Sequence, residues 1–201
     1  MKRKHYIILI FVALIVILDQ ATKQFIVKTM DFGESITVIK DFFYINSHRN
    51  TGGAWGILTG QMMLLYLVTL IAFVLFYYLI REVDFKLKKI YSIAIILLVA
   101  GAIGNFIDRL LFKEVVDFLD FYIFGYDFPI FNVADISLVV GMFMFAYDIL
   151  LEDIIRGKNK NWRKSKLWKN RQNTLWSFRI LKKQSTSYDK RWKYLSKWYN
   201  R

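Results

Sequence analysis

The sequence predicts an all-α membrane protein: four transmembrane helices with a small extracytoplasmic β element in the first outer loop. Three observations carry this. Four apolar runs lie near the ~20 residues needed to cross ~30 Å of hydrocarbon. The chain is 56% hydrophobic, above the roughly 45–50% of soluble domains. Basic residues gather in alternate connections, as in a polytopic chain sorted by the positive-inside rule.

The first run, Tyr6 to Leu18, follows a basic start, Lys2-Arg3-Lys4. A signal peptide has that shape too. No small-residue cleavage site follows, and three more apolar runs do, so the run reads as a first span. The helix is expected to continue through Asp19 and Lys23, which are spaced i,i+4 on one face. Residues 30–60 are a polar connection. Within it, Ser35 to Lys40 is β-branched and partly alternating, and Phe42-Phe43-Tyr44-Ile45 adds aromatics, so this part reads as a hairpin or small sheet. Trp55, in the loop that follows, suits the headgroup level. Met62–Ile80 is the second span, Ile90 to about Leu111 the third, and Asp135–Leu151 the fourth. Gly101 and Gly104 allow the third helix a close neighbour.

Lys2, Arg3, Lys4, Arg81, Lys86, Lys88, Lys89, Arg156 and Lys158 fall on one side of such a bundle. The other side has only Lys40, Arg49 and Lys113, with His48. Both termini are therefore expected in the cytoplasm, with 30–60 and 112–134 as outer loops. The formal charge of +13 is concentrated at one end: residues 159–201 carry 14 Lys and Arg against Asp189 alone, while 1–158 carry 15 of each sign. Five of the six Trp also lie there. Residues 1–156 are read as the membrane domain and 157–201 as a basic, Trp-rich tail, disordered or foreign to the fold, with no nucleic-acid motif. Cys is absent and the two His match no zinc spacing, so no metal and no cofactor are expected.

Counted along the helices at 1.5 Å per residue, Asp19, Asn105, Asp108 and Asp135 come to one depth near the outer surface, and Asp117 lies on the adjoining loop. Acids at such positions mark function by default. Two Asp sharing one proton and one water suffice to hydrolyse a peptide bond, and Asp117 with Asp135 suit that pair. Asn132, three residues before Asp135, falls on the same helical face. Other readings stay open. Asp19–Lys23 can be a buried helix lock. Asp108–Arg109 reads as a structural pair rather than a catalytic one. Asp120 and Asp127 read as solvated loop acids, and Asp148, Glu152 and Asp153 as charge at the inner helix end. A small ion or proton carrier also places acids in its spans, but nearer the midplane.

Over residues 1–156 the motifs resemble those of lipoprotein signal peptidases, the type II signal peptidases of bacterial membranes. They are Asp19-Gln20-Ala21-Thr22-Lys23, Arg49-Asn50-Thr51-Gly52-Gly53-Ala54-Trp55, Gly104-Asn105-Phe106-Ile107-Asp108-Arg109, Val115-Val116-Asp117-Phe118 and Phe131-Asn132-Val133-Ala134-Asp135. Gly53 stands where the family more usually has Ala. The resemblance implies an aspartyl endopeptidase of the bacterial cytoplasmic membrane, and a monomer is expected. Such an enzyme removes the signal peptide from diacylglyceryl-modified prolipoproteins, cutting before the lipidated Cys at the outer face. It implies Asp117 and Asp135 as catalytic. Asp19, Lys23, Asn50, Gly52, Asn105, Asp108, Arg109, Asn132 and Ala134 become supporting or substrate-binding. Its partners are the lipidated substrate and membrane lipid.

Overall fold

Helix α1 runs Lys2–Thr29, α2 Met62–Arg81, α3 Lys89–Phe112 and α4 Val133–Leu151. All four are long and apolar enough to cross a membrane. The structure, a computed structural model, describes residues 2–53, 56–151 and 154. The chain divides into two units, Met1–Ile149 and Leu150–Arg201, and the described residues belong, all but a few, to the first. Trp55, Glu152, Asp153 and the expected tail at 157–201 lie outside the described residues.

Helix α3 is central. In its most apolar stretch 61% of residues are buried, against 6–17% in the other three helices. Its Tyr91, Ile95, Leu98 and Val99 pack with Ile8 and Val12 of α1, and Phe76, Leu138 and Phe145 close over them. Gly104 makes the approach possible: a Cβ there would lie 2.6 Å from Asp19 Oδ2 and 3.1 Å from Ala134 Cβ. A Cβ on Gly101 would run into the carbonyl oxygen of Ala134. Small residues at such crossings are how helices pack where lipid supplies no hydrophobic drive. Helix α2 shows the opposite pattern. Leu65 is its single buried residue, and Met63, Leu67, Val68, Leu70, Ile71, Val74 and Leu75 are exposed. So large an apolar face fits a lipid solvent, not water.

The two expected outer loops do not stand apart. Strands β1 (Ser35–Ile39), β2 (Phe43–Asn50), β3 (Val115–Ile123) and β4 (Tyr126–Asp127) form one antiparallel sheet in the order β1-β2-β3-β4. The β element was expected in the first connection only, with 112–134 as a loop. The difference has a physical reason. Val115-Val116, Phe118-Leu119 and Phe121-Tyr122-Ile123 are strong strand formers, but the register that pairs Asn50 with Val115 and Phe43 with Phe121 is non-local and leaves no trace in either loop alone. The tight turn between β3 and β4 is Phe124-Gly125, both at positive φ, as a two-residue hairpin requires. One sheet face sits on the end of α1, where Val116 and Phe118 pack with Ile26 and Met30. After β4 the chain returns to β3, where Phe131 and Leu119 exchange backbone hydrogen bonds, and then enters α4.

Candidate active site

The site is built where α4 starts. Asn132 precedes the first helical residue and caps it: its Oδ1 accepts the Asp135 N–H at 3.0 Å. In return Asp135 Oδ2 accepts the Asn132 N–H at 3.2 Å. This reciprocal pair is a capping box with Asn and Asp in place of the usual Ser/Thr and Glu. It fixes the Asp135 side chain in the first turn, where the helix dipole favours a carboxylate. So Asn132 does not share a helix face with Asp135, as the spacing suggested, but caps the start of the helix. The other Asp135 oxygen, Oδ1, accepts Asn105 Nδ2 from α3 at 2.7 Å.

Asp117 comes from β3 and meets the same asparagine. Asn132 Nδ2 donates to its Oδ1 at 2.6 Å, and Asn50 Nδ2, from β2, donates to its Oδ2 at 2.9 Å. The carboxyl is 2% exposed. Burial, and then the neighbouring charge of Asp135, push it up to about 7, against the opposing pull of Asn50, Asn132 and Lys23. One asparagine thus holds both carboxyl groups, and two further carboxamides orient their outer oxygens. Burial and a like charge nearby both favour the protonated form of a carboxyl group.

Beneath this pair lies a second polar layer. Lys23 Nζ is 2.9 Å from Asp19 Oδ2, 2.9 Å from Asp108 Oδ2 and 3.0 Å from Asn105 Oδ1. Each of the four residues is buried, and the charges meet one another as intramembrane ions must. Asp19 Oδ1 also accepts the Ala134 N–H at 2.9 Å, so α1 satisfies a second free donor of the α4 N-terminus. The partner of Asp108 is therefore Lys23, with Gln20 Nε2 at 2.8 Å, and not the adjacent Arg109: residues one apart on a helix do not face each other. Arg109 instead donates through Nη2 to the Gly52 carbonyl at 3.0 Å. Gly52 N–H in turn donates to Asn50 Oδ1 at 2.8 Å. A Cβ on Gly52 would lie 2.8 Å from Thr59 Oγ1 and 3.0 Å from Ile57 O, so the loop closes only around glycine.

All eleven residues singled out in the sequence are thus linked through this network, with the Ala134 N–H and the Gly52 carbonyl and N–H as their contributions. Two more belong to it. Gln20 donates to Asp19, Gly104 O and Asp108. The Tyr66 hydroxyl donates to the Arg109 carbonyl at 2.6 Å. Gln20 had a signal, an amide inside a membrane-length run beside Asp19. Tyr66 had none, since one tyrosine in an apolar helix is ordinary. Asp120 departs from expectation: it is not a solvated loop acid but 4% exposed, beneath Asn46. Asp127 is exposed.

Fold and site together define a class, a polytopic membrane enzyme with a buried carboxylate pair, one member on strand β3 and the other in the first turn of α4. Comparison narrows it. The family model for signal peptidase (SPase) II matches residues 11–151. The lipoprotein signal peptidase of Staphylococcus haemolyticus (strain JCSC1435) is 54% identical over 158 residues, 76% of this chain and 97% of that protein. That of Staphylococcus aureus is 47% identical over 163 residues, 80% and 98% of the two chains. A bacterial membrane enzyme solved by the in meso method at 2.3 Å is 46% identical, with a TM-score of 0.66 over 73% of this chain and 88% of its own. The chain belongs to the signal peptidase II family.

Proposed function

We propose that the chain is the aspartic endopeptidase that removes signal peptides from diacylglyceryl-modified prolipoproteins, with Asp117 and Asp135 as its catalytic pair. The observation that carries this is the single asparagine, Asn132, bonded to both carboxyl groups. Asp117, held up near 7, carries the shared proton and polarises the scissile carbonyl oxygen. Asp135, ionised at a helix N-terminus, takes a proton from water as the water oxygen bonds to the carbonyl carbon. The tetrahedral intermediate collapses when the carboxyl proton passes to the amide nitrogen of the lipidated Cys. The C–N bond breaks, and the signal peptide leaves with a new carboxyl group.

The remaining residues have supporting roles. Asn50, Asn105 and Asn132 aim the carboxyl oxygens. Asp19, Lys23 and Asp108 hold α4 against α1 and α3, partly through the Ala134 N–H. Arg109 holds the Gly52 loop across the site. On this reading the enzyme works as a monomer in the bacterial cytoplasmic membrane, with both termini inside and the sheet outside. The acyl chains of the substrate hold its scissile bond at the depth of the pair. An ion carrier would want acids near mid-bilayer, whereas Asp135 lies in the first turn of α4. The test is cleavage of a diacylglyceryl prolipoprotein by wild type, Asp117→Asn, Asp135→Asn and the double variant, normalised to inserted protein. Each single change should remove nearly all turnover, and the double change should add little, because groups that act as a unit are non-additive. Near-normal cleavage by either single variant would remove that residue from the mechanism.

A further inference from the structure

Along β3, alternation sends Asp117 and Asp120 to opposite sheet faces. The face bearing Asp120 has a groove of its own. One cavity of about 600 Å³ is lined by Ser35, Asp41, Tyr44, Asn46, Asp120 and Tyr122. A second of about 370 Å³ shares Asn46, Asp120 and Tyr122 with it and continues along Asp127, Phe128, Pro129 and Ile130. Among the described residues, no Lys, Arg or His lines either one. Asp120 stands where they join. Its Oδ2 takes the Asn46 amide, while its Oδ1 is buried and has no hydrogen-bond partner among the described residues. A buried carboxylate oxygen without a partner is costly, and natural structures rarely leave one without a reason. Tyr44 and Tyr122 stand beside it, ring centroids 5.4 Å apart at 73°, and Asp127 adds a second negative charge opposite Tyr122 in the register.

We propose that this groove is a subsite for one Lys or Arg side chain of the substrate, on the lipoprotein side of the bond that is cut. The chemistry that fits is an organic cation with an apolar stem. The charged head completes Asp120 Oδ1, Asp127 adds attraction, and the stem or head lies against the tyrosine rings. The proposal rests on the peptidase reading above. Reach is compatible with it. Residues 128–130 wall the second cavity and lead directly in sequence to Phe131 and Asn132, so one end of the groove adjoins the segment that holds the carboxylate pair. Asp120 is three residues from Asp117, about 10 Å of strand. At about 3.3–3.6 Å per extended residue, and with an edge to round, the cation sits roughly five to eight residues beyond the cut.

The experiment uses lipidated peptides carrying a single Lys, or Gln in its place, at each position from two to ten after the lipidated Cys. Cleavage by the full chain is measured in micelles free of amino lipid, so that only the peptide supplies a cation. At one or two neighbouring positions the Lys-to-Gln ratio of kcat/KM should be about three- to fivefold, the size of one partly screened ion pair. In Asp120→Asn the ratio should fall to about one. Each ratio is internal to one protein, so partial loss of folded enzyme does not move it. Tyr44→Phe, which keeps the ring, should retain the preference. A ratio near one at every position in wild type, or an equal preference in Asp120→Asn, would overturn the subsite. If adding phosphatidylethanolamine to the micelles raises wild-type turnover of all peptides alike, and Asp120→Asn cancels the rise, the groove binds lipid amines and the proposal fails. Absence of cleavage of every peptide by wild type would instead refute the peptidase reading.

Discussion

Asn132 is the residue whose loss separates architecture from chemistry. In Asn132→Ala the α4 cap goes, which costs about 1 kcal/mol. Asp117 Oδ1 also loses its 2.6 Å donor in a buried setting, and a buried acceptor left without its partner costs about 1–3 kcal/mol. Asn105 Oδ1 and Val116 O, at 3.2 and 3.3 Å from the same Nδ2, lose weaker contacts. The total destabilisation should approach 3–4 kcal/mol on these values, and Asp135 is no longer held in its first-turn position. Asn132→Asp behaves differently. Asp caps a helix as well as Asn does, so the capping box with Asp135 survives. But the Nδ2 donor becomes an oxygen facing three acceptors, Asp117 Oδ1, Asn105 Oδ1 and the Val116 carbonyl, and of these Asn105 Oδ1 keeps Lys23 Nζ as a donor. The assay pairs thermal unfolding in detergent with cleavage of a lipidated substrate. Asn132→Ala should unfold at clearly lower temperature. Asn132→Asp should lie between it and wild type, and both should lose at least about a hundredfold in turnover, the ~2.7 kcal/mol or more expected for a misplaced acid pair. If Asn132→Asp cleaves like wild type, the shared asparagine does not organise the pair and the argument from geometry is wrong.

Four further outcomes follow from the structure. Asp117 binds its proton more tightly folded than unfolded, so that stability is fully present below the ordinary carboxylate range and is lost as pH rises through about 7; the unfolding temperature of wild type should fall from pH 5 to 8, turnover should fall above pH 7, and Asp117→Asn should show a flatter unfolding profile over that range. Gly104→Ala, whose Cβ would collide with Asp19 Oδ2 and Ala134, should sharply reduce folded yield, whereas Gly53→Ala, whose nearest contact would be an ordinary 3.4 Å, should be tolerated on the same detergent-stability assay. Single-Cys labelling at position 45 should occur only from outside the cell; labelling solely from the cytoplasm would invert the topology. Deleting residues 159–201 should leave cleavage nearly intact, since the family match ends at 151, and loss of turnover by a correctly inserted truncation would show that the tail takes part.

The four helices were legible because hydrocarbon imposes a one-dimensional signal, a run of apolar residues of fixed length. Asp19, Lys23, Asn105, Asp108, Asn132 and Asp135 were legible for the converse reason: a polar group in or beside such a run is expensive and stands out. What could not be read was pairing. Nothing local to residues 112–134 says that Val115 lies opposite Asn50, so β3 looked like a loop and Asp120 like a solvated acid. Nor does spacing tell a capping residue from a face residue, because Asn132 and Asp135 stand three apart either way. The Asp108–Lys23 pair was missed for a related reason. Arg109 is nearer in sequence, but the helix turns it to the Gly52 loop while Lys23 arrives from another helix.

The sheet joins two loops that two membrane-crossing helices separate, and this orders events during biogenesis. Asn50 is made early, but the Asp117 it orients comes only after the third helix, and Asn132 and Asp135 come later still. Until the fourth helix begins, neither carboxyl group has its full set of amide donors. A half-inserted chain therefore carries no working pair. On the proposed assignment the proteolytic centre is assembled last, from pieces that meet only in the finished bundle.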